Sequence, residues 1–156
     1  MSDSRWPGAE HLISEIRKVF EYTKIPIEVA ELGIDPDRDA VIGTFHKRPW
    51  QSVTLEEISS HRDDLVFFSL AGLCYYLPAF MTHILSNLEE VDTALESTCS
   101  TLAPDCLEEV FGLSSTVVLR RMLSPRQRWA VNQFLEIVED RFPGTVDPRT
   151  LGYWSR

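Results

Sequence analysis

The chain has 156 residues, 44% hydrophobic and 25% charged, with 15 basic and 24 acidic side chains and a net charge of −9. That length and apolar content fit one globular domain with its own core and exclude disorder as the default. A pI near 4.9 argues against nucleic acid as the main partner, because phosphate recognition needs a basic footprint.

The first predicted helix begins near residues 7–9, with Ala9, Leu12, Ile13, Ile16 and Phe20 at the offsets of one helical face. Pro26 ends it or follows its end, and residues 25–34 read as an irregular connection with an extended piece at Ile25, Ile27 and Val29. Asp35 then caps a short helix with Pro36 at its first position, running through Phe45, and Pro49 stops it. Thr54-Leu55-Glu56-Glu57 is a capping box, so a helix over 55–62 follows. Ser69 can cap the long apolar segment after it. Pro78 lacks an amide donor and crowds the preceding turn, which predicts two stacked pieces over 70–77 and 78–86. Leu88, Val91 and Leu95 keep a partly helical spacing, and Pro104 and Gly112 bracket a short helix over 105–111. Ser124-Pro125-Arg126-Gln127 is the strongest helix start in the chain. Val131, Phe134, Leu135, Val138 and Phe142 mark that helix's buried face up to Pro143-Gly144, and Asp147-Pro148 opens a last helix carrying Leu151, Tyr153 and Trp154.

These elements predict an all-α fold, an irregular single-domain bundle of about six or seven helices over residues 1–156 around a Pro-kinked apolar central helix. The uncharged stretch 65–88 is 24 residues long, enough to cross a bilayer. It contains Ser69, Gly72, Pro78, Thr82, His83, Ser86 and Asn87, and acidic pairs flank it instead of Lys/Arg anchors, so a buried helix and no membrane are expected. The start, Met1 to Pro7, lacks a basic n-region and an apolar h-region. Cys74, Cys99 and Cys106 are odd in number and unpaired in pattern. Both features point to a cytoplasmic protein.

Several motifs carry a resemblance. Asp64-Leu65-Val66-Phe67-Phe68-Ser69 leads to Tyr75-Tyr76-Leu77-Pro78-Ala79-Phe80-Met81. An aromatic-basic patch ends in Trp50, Leu123-Ser124-Pro125-Arg126-Gln127 opens a late helix, and Tyr153-Trp154 closes the chain. Together these resemble an uncharacterised bacterial family, domain of unknown function 6714. The resemblance implies a helical domain and transfers no reaction.

The turn around Tyr75, Tyr76 and Pro78, with His83 one turn beyond, is the pocket candidate, because a proline break exposes carbonyls that two phenols can flank. Core packing explains the same residues. Cys74 and His83 lack an orienting third group, so no catalytic residue is assigned. His11, His46, His61 and His83 form no close pair, Cys99 and Cys106 are seven apart, and neither a metal nor another cofactor is expected. A Gly-rich phosphate loop and a Gly-x-Ser-x-Gly elbow are both missing.

The whole net charge falls between Asp63 and Leu119, where nine acids meet no Lys or Arg, while the other 99 residues carry 15 of each sign. Seven of those nine acids lie within 89–109. Arg120, Arg121, Arg126 and Arg128 follow directly, placed either to pair with the acids or to meet an external anion. The leading expectation is a non-enzymatic protein-binding module of the immunity-protein or antitoxin kind. Glu89, Glu90, Asp92, Glu96, Glu108 and Glu109 would dock on a basic protein partner. The alternative is a small enzyme or ligand-binding domain with a pocket at 75–80, using Tyr76 or His83 as a polar group.

Overall fold

The structure, a computed structural model, describes residues 8–30, 36–88, 93–104 and 115–156. Among these are eight α-helices: α1 (Ala9–Val19), α2 (Pro36–Phe45), α3 (Leu55–Ser60), α4 (Leu70–Leu85), α5 (Thr93–Thr101), α6 (Ser115–Met122), α7 (Pro125–Arg141) and α8 (Pro148–Trp154). Two 3-10 turns, Trp50–Ser52 and Leu65–Phe67, join them. The fold is all-α. The expected helix over 105–111 and the caps at Asp35 and Gly112 lie outside the described residues.

The helix starts follow their capping side chains. Thr54 Oγ1 accepts from Glu57 N while the Glu57 carboxylate accepts from Thr54 N, closing the predicted box. Ser124 and Gln127 make the same reciprocal pair. Ser69 Oγ accepts from Gly72 N at 2.9 Å, and Asp147 accepts from Arg149 N. Each bond satisfies a donor that a helix start leaves open, worth about 1 kcal/mol.

Helix α4 is the centre. Thirteen of its 16 residues are buried, and α1, α3, α5, α6 and the Trp50 turn all pack on it. A helix apolar on all sides needs such an encasement if it is not to face lipid, and no helix among the described residues is long and apolar enough to cross a membrane. The expected division at Pro78 is corrected: one helix runs from Leu70 to Leu85 with Pro78 inside it. Proline removes one helical donor and costs about 3 kcal/mol. Burial of Leu77, Phe80, Met81 and Ile84 on either side offsets that loss, and the Thr82 hydroxyl donates to the Pro78 carbonyl at 2.9 Å.

Phe45, Phe68, Tyr76 and Phe80 form an aromatic cluster in the core, with ring centroids 5.0 to 6.4 Å apart. The indole of Trp50 donates to the Phe20 carbonyl and that of Trp154 to the Leu102 carbonyl, so both large rings are buried without an orphaned N–H. The connection after α1 is held differently from the sequence expectation. Ile25 and Ile27 are exposed, and the extended contact forms one step later, as an isolated antiparallel bridge between Ala30 and Phe68.

Arg48 ties the α2–α3 region together. Its guanidinium donates to the Thr44 and Ser52 carbonyls and pairs with Glu57. The Arg48 hydrogen bond first, and the Thr54 amide second, pull the Glu57 carboxyl from 4.5 down to about 2. A carboxyl depressed in the folded state adds stability above its ordinary pKa and loses it as pH falls through the depressed value. Stability should therefore fall between about pH 4.5 and 2, and Glu57→Gln should flatten this part of a Tm-versus-pH curve while lowering Tm at neutral pH. Parallel curves for the two proteins would show that the pair does not act in this way.

Candidate functional site

An apolar cleft of about 350 Å³ opens between residues 23–27, the first half of α4 and the junction of α6 with α7. Its floor is Ala71, Cys74 and Tyr75, and Ile25, Pro26, Ile27, Met122 and Leu123 line its sides. Three tethers shape it. Ser69 N donates to the Val29 carbonyl at 2.9 Å, and the Ser69 hydroxyl donates to the Glu28 carbonyl at 2.8 Å. These bonds fix residues 28–30 on the start of α4 and leave 23–27 to arch over Ala71. Gly72 permits this approach: a Cβ there would overlap the Val29 carbonyl oxygen and sit 3.0 Å from its carbon. On the other side, Gln127 Nε2 donates to the Val19 carbonyl at 2.9 Å, joining the start of α7 to the end of α1.

The rim is unusually apolar for a monomer surface. Ile27 is 84% exposed, and Met122 and Ile25 are 43% and 39% exposed. Within the cleft, Cys74 Sγ lies 4.0 Å from Met122 Sδ. Burial pushes the Cys74 thiol up to about 12, as it does Cys99, so neither supplies a thiolate near neutral pH.

The structure separates the four residues grouped as a sequence pocket. Tyr75 lies in the cleft, and its hydroxyl accepts from Trp50 N at 3.2 Å. Tyr76 is fully buried, and its hydroxyl reaches the carbonyls of Phe45 and Arg48, the latter at 2.7 Å. Burial raises the Tyr76 phenol to about 12. Pro78 is buried in α4. His83 lines a different and smaller cleft, about 150 Å³, with Arg17, Gln51, Thr82 and Ser86. Nine residues at 100° each place Cys74 and His83 on opposite sides of the unbroken helix.

Of the acidic docking residues, Glu96 is exposed on α5. Glu89, Glu90, Asp92, Glu108 and Glu109 lie outside the described residues. Two of the following arginines bind backbone: Arg120 donates to the Tyr153 and Arg156 carbonyls, and Arg128 to the Arg120 and Leu123 carbonyls. Helix ends offer carbonyls without intrahelical partners, and a guanidinium suits them in charge and in number of donors.

One arrangement escaped the sequence reading. His61 Nδ1 is 2.8 Å from Asp64, and Nε2 is 2.8 Å from the Thr44 hydroxyl. A hydroxyl, an imidazole and a carboxylate in series can activate a nucleophile. Here Thr44 lies inside α2, where the amides of 43–46 serve the helix ladder and offer no free N–H pair to a developing oxyanion. The His61 ring packs edge-on to Phe45 with centroids 5.0 Å apart, and the trio joins the end of α2 to the end of α3. Its sequence signal was His61 and Asp64 at a three-residue spacing; Thr44 is 17 residues away. Among the described residues no group of three or more His, Cys, Asp or Glu is placed to hold a metal ion.

A family model described as a family of unknown function (DUF6714) matches residues 9–146. Neither the curated proteins nor the solved structures include a match to this chain.

Proposed function

The chain belongs to this family of unknown function, and from its own geometry we propose a non-enzymatic binding module whose binding element is the apolar cleft over Ala71 and Tyr75. The observation that carries this reading is the cleft itself, a concave space of about 350 Å³ with apolar walls and an apolar rim. That size and lining suit a bound organic group. The reactive side chains are engaged in holding the fold: Cys74 is kept protonated by burial, and Tyr76 and His61 bond to Phe45 and Thr44 of α2.

A naphthalene-sulfonate dye that fluoresces in apolar sites tests the reading. Ala71 is only partly buried, so Ala71→Trp fills the cleft without entering the core. The wild-type chain should bind the dye at one site, and Ala71→Trp should weaken binding about ten-fold or more with an unchanged circular-dichroism melt. Equal dye affinity for the two folded proteins would refute the cleft as the site.

A second reading keeps the acidic surface as a dock for a basic protein, and the confinement of the net charge to residues 63–119 with Glu96 exposed supports it. Salt separates the two. Docking by charge weakens steeply with ionic strength, whereas apolar binding in the cleft does not.

A further inference from the structure

We propose that the cleft takes a small apolar carboxylate, a single alkyl chain with one anionic end, with the chain against Ala71, Tyr75 and Met122 and the carboxylate at Lys24. This rests on the cleft being the binding element and adds the chemistry of its ligand. Lys24 is the one charged side chain among the described residues that line the cleft, and it is exposed at the lip. The other polar side chains of the wall already serve the fold. The Thr23 hydroxyl donates to the Phe20 carbonyl at 2.8 Å. The Gln127 amide accepts from Ser124 N with its oxygen and donates to the Val19 carbonyl with its nitrogen. The Tyr75 hydroxyl takes the Trp50 N–H.

Apolar walls reward a hydrocarbon and offer nothing to a ligand with polar groups along its length, whose desolvated groups would go unpaired. The ammonium at the entrance adds one requirement, a negative end. A cationic amphiphile meets a like charge at the same place. A bulky polar ligand such as a nucleotide has too few free donors and acceptors to meet inside.

Isothermal titration with decanoate, 1-decanol and decyltrimethylammonium, each below its micelle concentration, tests the proposal on the full chain. Decanoate should bind at one site and displace the dye, with 1-decanol about five-fold weaker for want of the charge pair. Shortening the acid by one carbon should cost about four-fold. Lys24→Gln changes an exposed residue and should leave the melt unchanged. It should remove the preference for decanoate over 1-decanol while 1-decanol binding stays as in wild type. Equal binding of acid and alcohol to wild type, a preference that survives Lys24→Gln, or tightest binding of the cation would each overturn the proposal. If the dye binds and is lost in Ala71→Trp but decanoate does not bind, the carboxylate inference falls and the cleft stands. If neither probe binds, both fall.

Discussion

Gly72→Ala is expected to destabilise the protein by about 2 kcal/mol or more, lowering Tm by roughly 4–8 °C for a chain of this length. In an exposed helix interior the same exchange stabilises by about 0.5–1 kcal/mol, so the sign itself is diagnostic. At Gly72 the added methyl meets backbone: the Val29 carbonyl oxygen stands inside van der Waals contact and its carbon at 3.0 Å. A carbonyl cannot rotate away as a side-chain end can, so the 28–30 segment must lift off α4. That strains the bond from Ser69 N to Val29 at 2.9 Å and the bond from Ser69 Oγ to Glu28 at 2.8 Å. Gly43, helical with open space around its added Cβ, is the internal control and should gain stability from the same exchange. Lifting the segment also takes away one wall of the cleft, so the dye should bind Gly72→Ala weakly even at temperatures where the chain is folded. A melt equal to or above wild type would show that residues 28–30 do not press on α4.

Tyr76→Phe is the second large effect, about 1–3 kcal/mol of lost stability with an unchanged m-value in urea. The ring is fully buried and should stay in place among Phe45, Phe68 and Phe80. What is lost is the phenolic proton between the carbonyls of Phe45 and Arg48. These two groups sit where α2 ends and the chain turns toward Trp50, past the last regular helical bonds. The Phe45 carbonyl keeps the Arg48 amide at 3.1 Å, but the Arg48 carbonyl loses its hydroxyl partner, which costs more than the hydrogen bond contributed. A loss below about 0.5 kcal/mol, the range of ordinary surface changes, would mean that water serves the Arg48 carbonyl.

The helical class and most helix starts were legible because their causes are local. Thr54, Ser69, Ser124 and Asp147 each accept an amide two or three residues ahead, and that arrangement is visible in the order of residues alone. Pro78 shows where local rules stop: its cost is local, but packing along the whole of α4 decides whether the helix continues. The arginines show the same limit. Arg120 and Arg128 donate to helix-end carbonyls that folding brings near, and no adjacency in sequence displays those acceptors.

The cleft was only partly legible. Tyr75 was singled out, but for a proline break with which the cleft has nothing to do. Residues 23–27, 71–75 and 122–127 come together through helix packing and the Ser69–Val29 and Gln127–Val19 bonds. Ala71, Ile25 and Met122 belong to no motif that names chemistry. Ile25 and Ile27 on either side of Pro26 were the available hint, since an irregular segment with large apolar side chains must either bury them or present them to a ligand.

The most direct measurement of the central claim is amide chemical-shift mapping by NMR as the naphthalene-sulfonate dye is titrated into the isotopically labelled chain. Binding in the cleft predicts saturable shifts concentrated at Ile25, Ile27, Ala71, Cys74, Tyr75 and Met122, with His83 and Glu96 unmoved. Shifts centred on Glu96, on the separate surface cleft at Trp129 and Arg126, or scattered without saturation would contradict it.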